Sequence, residues 1–321
     1  MWKFKTKPAC FLLVGFFAFL IQGCSSLTLQ SKALLEKKPK EFIQAQEITD
    51  VNFNPQREYE CGPASLATML QWEGLNIRDT SLVSQIYIPE RKGSLQIEML
   101  ATVRRYGFIP YVIDKNMTAL LKEIKAGNPV LVLQNLGLES YPKWHYAVVI
   151  GYDINKDEII LRSGEIKRHV NSFSLFERTW RRAKYWGFVA LSNDELPANE
   201  DVFSYLKSVV PFEKLKKFDF AFSAYKTALQ RWPANKNLLM AAGNASYSIN
   251  NLATAEKYYR KVVEKWPVYE PALNNLAQVS FENENFQEAE KLMLRIIGLN
   301  DKYKEQYEDT LKNIRAGMQK K

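Results

Sequence analysis

The sequence predicts two domains of different class: an α+β domain over residues 49–195 and an all-α domain over residues 203–321. Three observations predict them. A chain of 321 residues with 46% apolar and 13% aromatic content has material for two cores, because a single core stops growing well before that length. From Val51 to Leu191 helical periodicities come first and β-branched runs later, the order of an α+β domain with antiparallel strands. The last third repeats itself at a spacing of 34 residues.

Residues 1–23 read as an export signal. Lys3, Lys5 and Lys7 form a basic start, and Phe11 to Ile21 an apolar stretch too short for a membrane span. Leu20-Ile21-Gln22-Gly23-Cys24 resembles the lipobox of bacterial lipoproteins, which implies cleavage before Cys24 and a lipid on that cysteine. Ser25 and Ser26 then suggest the outer membrane, facing the periplasm, in a two-membrane cell. A plain secretory signal or uncleaved anchor is the alternative. Residues 24–48 are polar and charged and read as a tether.

Cys10 falls in the signal and Cys24 would carry lipid, so Cys61 is left as the one free thiol, with no disulfide partner. Export to an oxidising compartment usually goes with paired cysteines, so an unpaired one points to catalysis or to a small buried core residue. Without the three signal lysines the charge of +9 becomes +6. No basic run is interleaved with aromatics, so nucleic acid is not an expected partner.

Within residues 49–195, Leu66, Met69 and Leu70 predict a helix just after Cys61. Ser94 as N-cap with Ile97, Leu100 and Val103 on one face predicts a second, ending before Gly107. A third runs from an Asn116 cap through Leu120, Leu121 and Ile124 to Gly127. Val130–Leu133, Tyr146–Tyr152, Glu158–Leu161 and Tyr185–Leu191 read as strands, with Asp153–Asp157 a hairpin turn.

In the last third Ala221, Ala255 and Ala289 fall in one register. Trp232-Pro233 recurs as Trp266-Pro267, Tyr225 as Tyr259, Phe218 as Leu252 and Phe286, and Ala228 as Val262 and Ile296. This pattern resembles tetratricopeptide repeats, stacked helix pairs whose groove binds a protein partner or which simply cap the preceding domain.

Cys61 sits where loop becomes helix, and the free amides and dipole of a helix start are expected to lower its pKa toward thiolate. Gly62 leaves the sulfur approachable, and Pro63 suits the first turn. Only two histidines can serve as base. His145 opens the run His145-Tyr146-Ala147-Val148-Val149-Ile150-Gly151-Tyr152-Asp153, at the end of a buried strand, whereas His169 lies in the polar stretch Lys167-Arg168-His169 and reads as a surface residue. Two histidines and one thiol form no recognisable metal spacing, so no cofactor is implied.

Gln56, a short spacer, Cys61-Gly62-Pro63-Ala64, and the distant run from His145 to Asp153 resemble the papain-like, bacteriocin-leader-processing cysteine peptidases. The resemblance implies Cys61 as nucleophile, His145 as base and Gln56 as an oxyanion donor beside the Cys61 N–H. The family also has an acidic residue that orients the histidine. Here Ser163 stands in its place, and Asp153 and Asp157 belong to the hairpin turn. Trp144 reads as a wall of the cleft.

The expected function is hydrolysis of peptide bonds by an exported, lipid-anchored cysteine peptidase whose repeats recruit a partner or substrate. Two rivals stand beside it: a non-catalytic binding module on the peptidase fold, supported by the missing acid, and a cell-wall endopeptidase.

Overall fold

The computed structural model describes residues 28–199, 201–299 and 304–319. The expected export signal and Cys24 lie outside the described residues. The chain divides into two compact units, one made of the residues up to Tyr106 with Val112–Ala190, the other of Gly107–Tyr111 with the residues from Leu191 on.

The stretch expected to be a tether is, from residue 28 on, part of the first unit. Leu29–Lys37 forms helix α1, and Gln46–Glu47 forms strand β1. Glu177 accepts the backbone N–H groups of Gln30 at 3.2 Å and Ser31 at 2.7 Å, while Phe42 is fully buried edge-on against Tyr152. Polar composition hid this, because the segment's buried apolar residues, Leu34, Phe42 and Ile48, are too widely spaced to show a periodic face.

Five more helices belong to this unit: α2 Cys61–Trp72, α3 Asp79–Ile86, α4 Gln96–Arg105, α5 Met117–Lys125 and α6 Phe173–Arg182. α2 is buried from Gly62 through Leu70, which makes it the central post of the domain. α5 starts as expected, with Asn116 Oδ1 accepting the Ala119 N–H at 2.8 Å, and stops before Gly127, whose φ of +91° suits glycine. α4 departs from expectation. Leu95, not Ser94, stands at its N-cap, Ile97 is exposed, and Met99 and Val103 carry the burial.

The strands are β2 Tyr87–Ile88, β3 Gly93–Ser94, β4 Ile109–Val112, β5 Val130–Asn135, β6 Trp144–Asp153, β7 Glu158–Ser163, β8 Ile166–Asn171 and β9 Gly187–Leu191. β2 and β3 form a small hairpin, and the rest a seven-stranded sheet of order β4-β9-β5-β6-β7-β8 in which β1 pairs β6. β5 runs antiparallel to residues 144–149 of β6, and β1 continues beside residues 151–152. Gly151 permits this, since a Cβ there would stand 2.6 Å from the Gln46 carbonyl. Arg162 is buried but satisfied, donating to the carbonyls of Thr49, Val51 and Lys167. Sequence periodicity did not single out α3, α6, β4 or β8.

The second unit holds helices α7 Val202–Lys214, α8 Phe218–Arg231, α9 Lys236–Ser248, α10 Leu252–Lys265, α11 Glu270–Glu282, α12 Phe286–Ile297 and α13 Lys304–Met318. Ala221, Ala255 and Ala289 are fully buried, and so are Ala228, Val262 and Ile296. A Cβ on Gly243 would lie 2.5 Å from the Tyr259 ring, so α9 and α10 touch through a bare backbone. The turns inside the pairs place Lys216, Asn250 and Glu284 at φ of +58°, +59° and +59°, a left-handed helix stop recurring in the register of the repeat.

Candidate active site

α2 presents Cys61 at its first residue, half-buried and with no bonded partner cysteine. β6 enters the core from Tyr146 onward, which leaves Trp144 exposed and His145 half-buried at the strand's mouth. Both residues line one cleft of about 1200 Å³ in the first unit, together with Gln56, Tyr146 and Trp186. Cys61 and His145, paired by sequence, are therefore brought to the same cavity.

His145 Nε2 lies 2.8 Å from Ser163 Oγ. A neutral imidazole donating Nε2–H to that hydroxyl keeps the Nδ1 lone pair as the basic one. Asp153 and Asp157 are committed elsewhere. Asp153 Oδ1 accepts the N–H groups of Asn155 and Lys156 in the hairpin turn, and Asp157 Oδ1 accepts the Phe173 N–H at 2.9 Å. His169, on β8, contacts Asn171 Oδ1 at 3.1 Å and acts on His145 only through its charge.

Gln56 is positioned by its own backbone N–H, which donates to the Gly164 carbonyl at 3.0 Å, beside Ser163. Its side-chain nitrogen donates to the Tyr146 carbonyl at 3.2 Å and reaches Ser65 Oγ at 3.3 Å, while Oε1 is buried without a partner among the described residues. Both N–H bonds of the amide are thus occupied at rest. An oxyanion would have to displace Ser65 or the Tyr146 carbonyl to receive one of them.

Sequence reasoning missed Ser94. It lines the cleft, its Oγ is buried without a partner among the described residues, and a Cβ on Gly62 would come within 2.8 Å of Ser94 Cβ. Its carbonyl accepts the Tyr146 hydroxyl at 3.1 Å. Gly62 therefore makes room for the Ser94 side chain next to Cys61. The sequence offered only a serine before an amphipathic run, which reads as a helix cap.

The electrostatics reverse one expectation. Burial pushes the Cys61 thiol up, outweighing the N–H groups of Tyr146, Gly62 and Cys61 itself, which pull it down. Burial also drives His145 down to about 4, helped by the charges of His169 and Lys143. Both shifts favour a neutral thiol beside a neutral imidazole at pH 7. The helix start does favour the thiolate, but removing the sulfur from water weighs more here. Among the described residues no cluster of three or more His, Cys, Asp and Glu side chains could hold a metal ion.

Residues 48–187 match the model of the Peptidase_C39 like family, and residues 213–270 and 241–303 match that of the tetratricopeptide repeat. None of the curated proteins compared with the chain matches it. Among solved structures, a protein described as a C39-like peptidase from Bacillus anthracis is 18% identical, with 46% of this chain and 98% of that one covered at a TM-score of 0.40. The first tetratricopeptide domain of Spaghetti (RPAP3), bound to an HSP90 peptide, is 20% identical over 36% of this chain and 91% of that one, at a TM-score of 0.34. A structure of MamA is 24% identical over 36% of this chain, which spans 62% of that one, at a TM-score of 0.34. The chain thus carries a C39-like peptidase domain over residues 48–187, followed by an all-helical region of tetratricopeptide repeats.

Proposed function

We propose that the chain is a cysteine peptidase in which Cys61 attacks the peptide carbonyl and His145 takes the thiol proton. The observation that carries this reading is that Cys61, at the first residue of α2, and His145 line one cleft, with His145 Nε2 2.8 Å from Ser163 Oγ. Because thiol and imidazole both rest neutral, the proton moves from Sγ to Nδ1 as the S–C bond forms, rather than beforehand. The Cys61 N–H and one N–H of Gln56, released from Ser65, donate to the oxyanion. Collapse expels the amine, which takes the proton from His145, and water hydrolyses the thioester.

In this reading Cys24 bears a lipid that anchors the exported chain in the cell envelope, and the repeats hold a protein partner or substrate. The lipobox-like residues 20–24 support the anchor, and the tetratricopeptide match supports the protein partner. The bacteriocin-leader type of the resemblance suggests short peptide segments as substrate.

A second reading, a binding module without turnover, is favoured by the neutral rest state and the hydroxyl in place of an acid at His145. Peptide hydrolysis and acyl-enzyme capture by the wild type, Cys61→Ser and His145→Ala proteins decide between them. Hydrolysis lost in both variants supports the peptidase; equal behaviour of all three ends it.

A further inference from the structure

We infer that the cleft selects acidic peptide segments, a substrate class that rests on its being a peptide-binding site. Its walls carry one dominant sign of charge. Arg57, before α2, and Arg91 and Lys92, in the β2–β3 hairpin, contribute from one set of loops. Lys115, Lys143, Arg182 and Lys184 come from the segments before α5, before β6 and around the end of α6. Against these seven cations the lining has two carboxylates, Glu58 and Glu165.

None of the seven makes an ion pair among the described residues. The ion pairs of the same unit lie outside the cleft lining: Lys32 with Glu36, Arg168 with Glu47, Arg181 with Glu139, and Lys156 with Asp153. The seven cations of the cleft are left open to a ligand. Two are held in place by other means. Arg182 donates to the Gly137 carbonyl at 2.6 Å, and Lys92 sits 5.2 Å from the centre of the Tyr59 ring. Lys184 is presented by a turn in which it and Tyr185 both have positive φ, 57° and 56°. A low-dielectric cleft lined by one sign of charge concentrates ligands of the other. A peptide is favoured over a bare polyanion because Tyr59 and Trp144 also line the cleft, 44% and 54% exposed, and offer apolar walls for side chains.

The test uses Cys61→Ser protein and fluorescent peptides that differ only in Glu against Gln at several positions. Tighter binding of the Glu peptide, weakening with added salt, is the expected result. In the Lys115→Glu/Lys184→Glu background its affinity should fall roughly tenfold, and by more than that of the Gln peptide. Equal binding of the two peptides, or binding of neither, overturns the inference. Polyphosphate displacing the Glu peptide from a site indifferent to its apolar side chains overturns it too, in favour of a general polyanion site. Hydrolysis is measured separately with the wild type: a protein that binds the Glu peptide selectively and cleaves nothing keeps the charge preference and loses the peptidase reading.

Discussion

Replacing Ser163 by aspartate would put a carboxylate where the hydroxyl now meets His145 Nε2 at 2.8 Å. At rest burial holds His145 down to about 4, with His169 and Lys143 adding repulsion. A hydrogen bond to a charged group contributes roughly 1.5–3 kcal/mol. At about 1.4 kcal/mol per pKa unit that raises the imidazolium by about one to two units, to between about 5 and 6. The chain contains two histidines, so imidazole NMR resolves the two titrations, and His169→Gln assigns them. Iodoacetamide alkylation of Cys61 at neutral pH should accelerate in parallel, since a cationic imidazole favours the thiolate. A wild-type His145 that titrates near its ordinary value, or one that Ser163→Asp leaves unmoved, refutes the reasoning.

The depressed His145 value also makes the first unit pH-sensitive. The unfolded chain binds the extra proton between about 6.5 and 4, so stability falls as pH drops through that window and levels below it. Urea titrations at stepped pH should lose at most roughly 3 kcal/mol there, and His145→Gln should flatten the slope. Gly62→Ala drives a Cβ to within 2.8 Å of Ser94 Cβ. Thermal denaturation should register a cost of about 1–3 kcal/mol, recovered in part by Ser94→Gly. Gly243→Ala meets the Tyr259 ring at 2.5 Å and should destabilise the second unit by a similar amount, read by helical circular dichroism on heating. Glu177→Ala leaves two amides of α1 without their acceptor, at a cost of about 1–3 kcal/mol, and should expose Lys32 and Lys37 to trypsin.

The two domain classes were legible because their signals are periodic and local. The small residues at 221, 255 and 289 must repeat for helices to pack, and the apolar faces of α2 and α5 must recur along a turn. Cys61 and His145, which line one cleft, could be singled out by chemistry, as the unpaired thiol and the strand-end imidazole. What stayed hidden depends on atoms far apart in sequence. No spacing announces that Ser94 fills the room left by Gly62, or that burial outweighs the helix start at the thiol. The Gln56 amide lines the cleft, but its engagement by Ser65 and the Tyr146 carbonyl is a property of packing.

The strand and helix that precede the family match also bear on how this domain can be cut. The match begins at residue 48, yet β1 pairs with residues 151–152 of β6, Phe42 packs against Tyr152, and Ser31 is fastened to Glu177. Truncation at the family boundary would bare the end of β6 as an open strand edge, a template for pairing with other chains. The boundary drawn by kinship and the boundary drawn by hydrogen bonds differ here, and a soluble fragment is expected from the second, starting at or before residue 28.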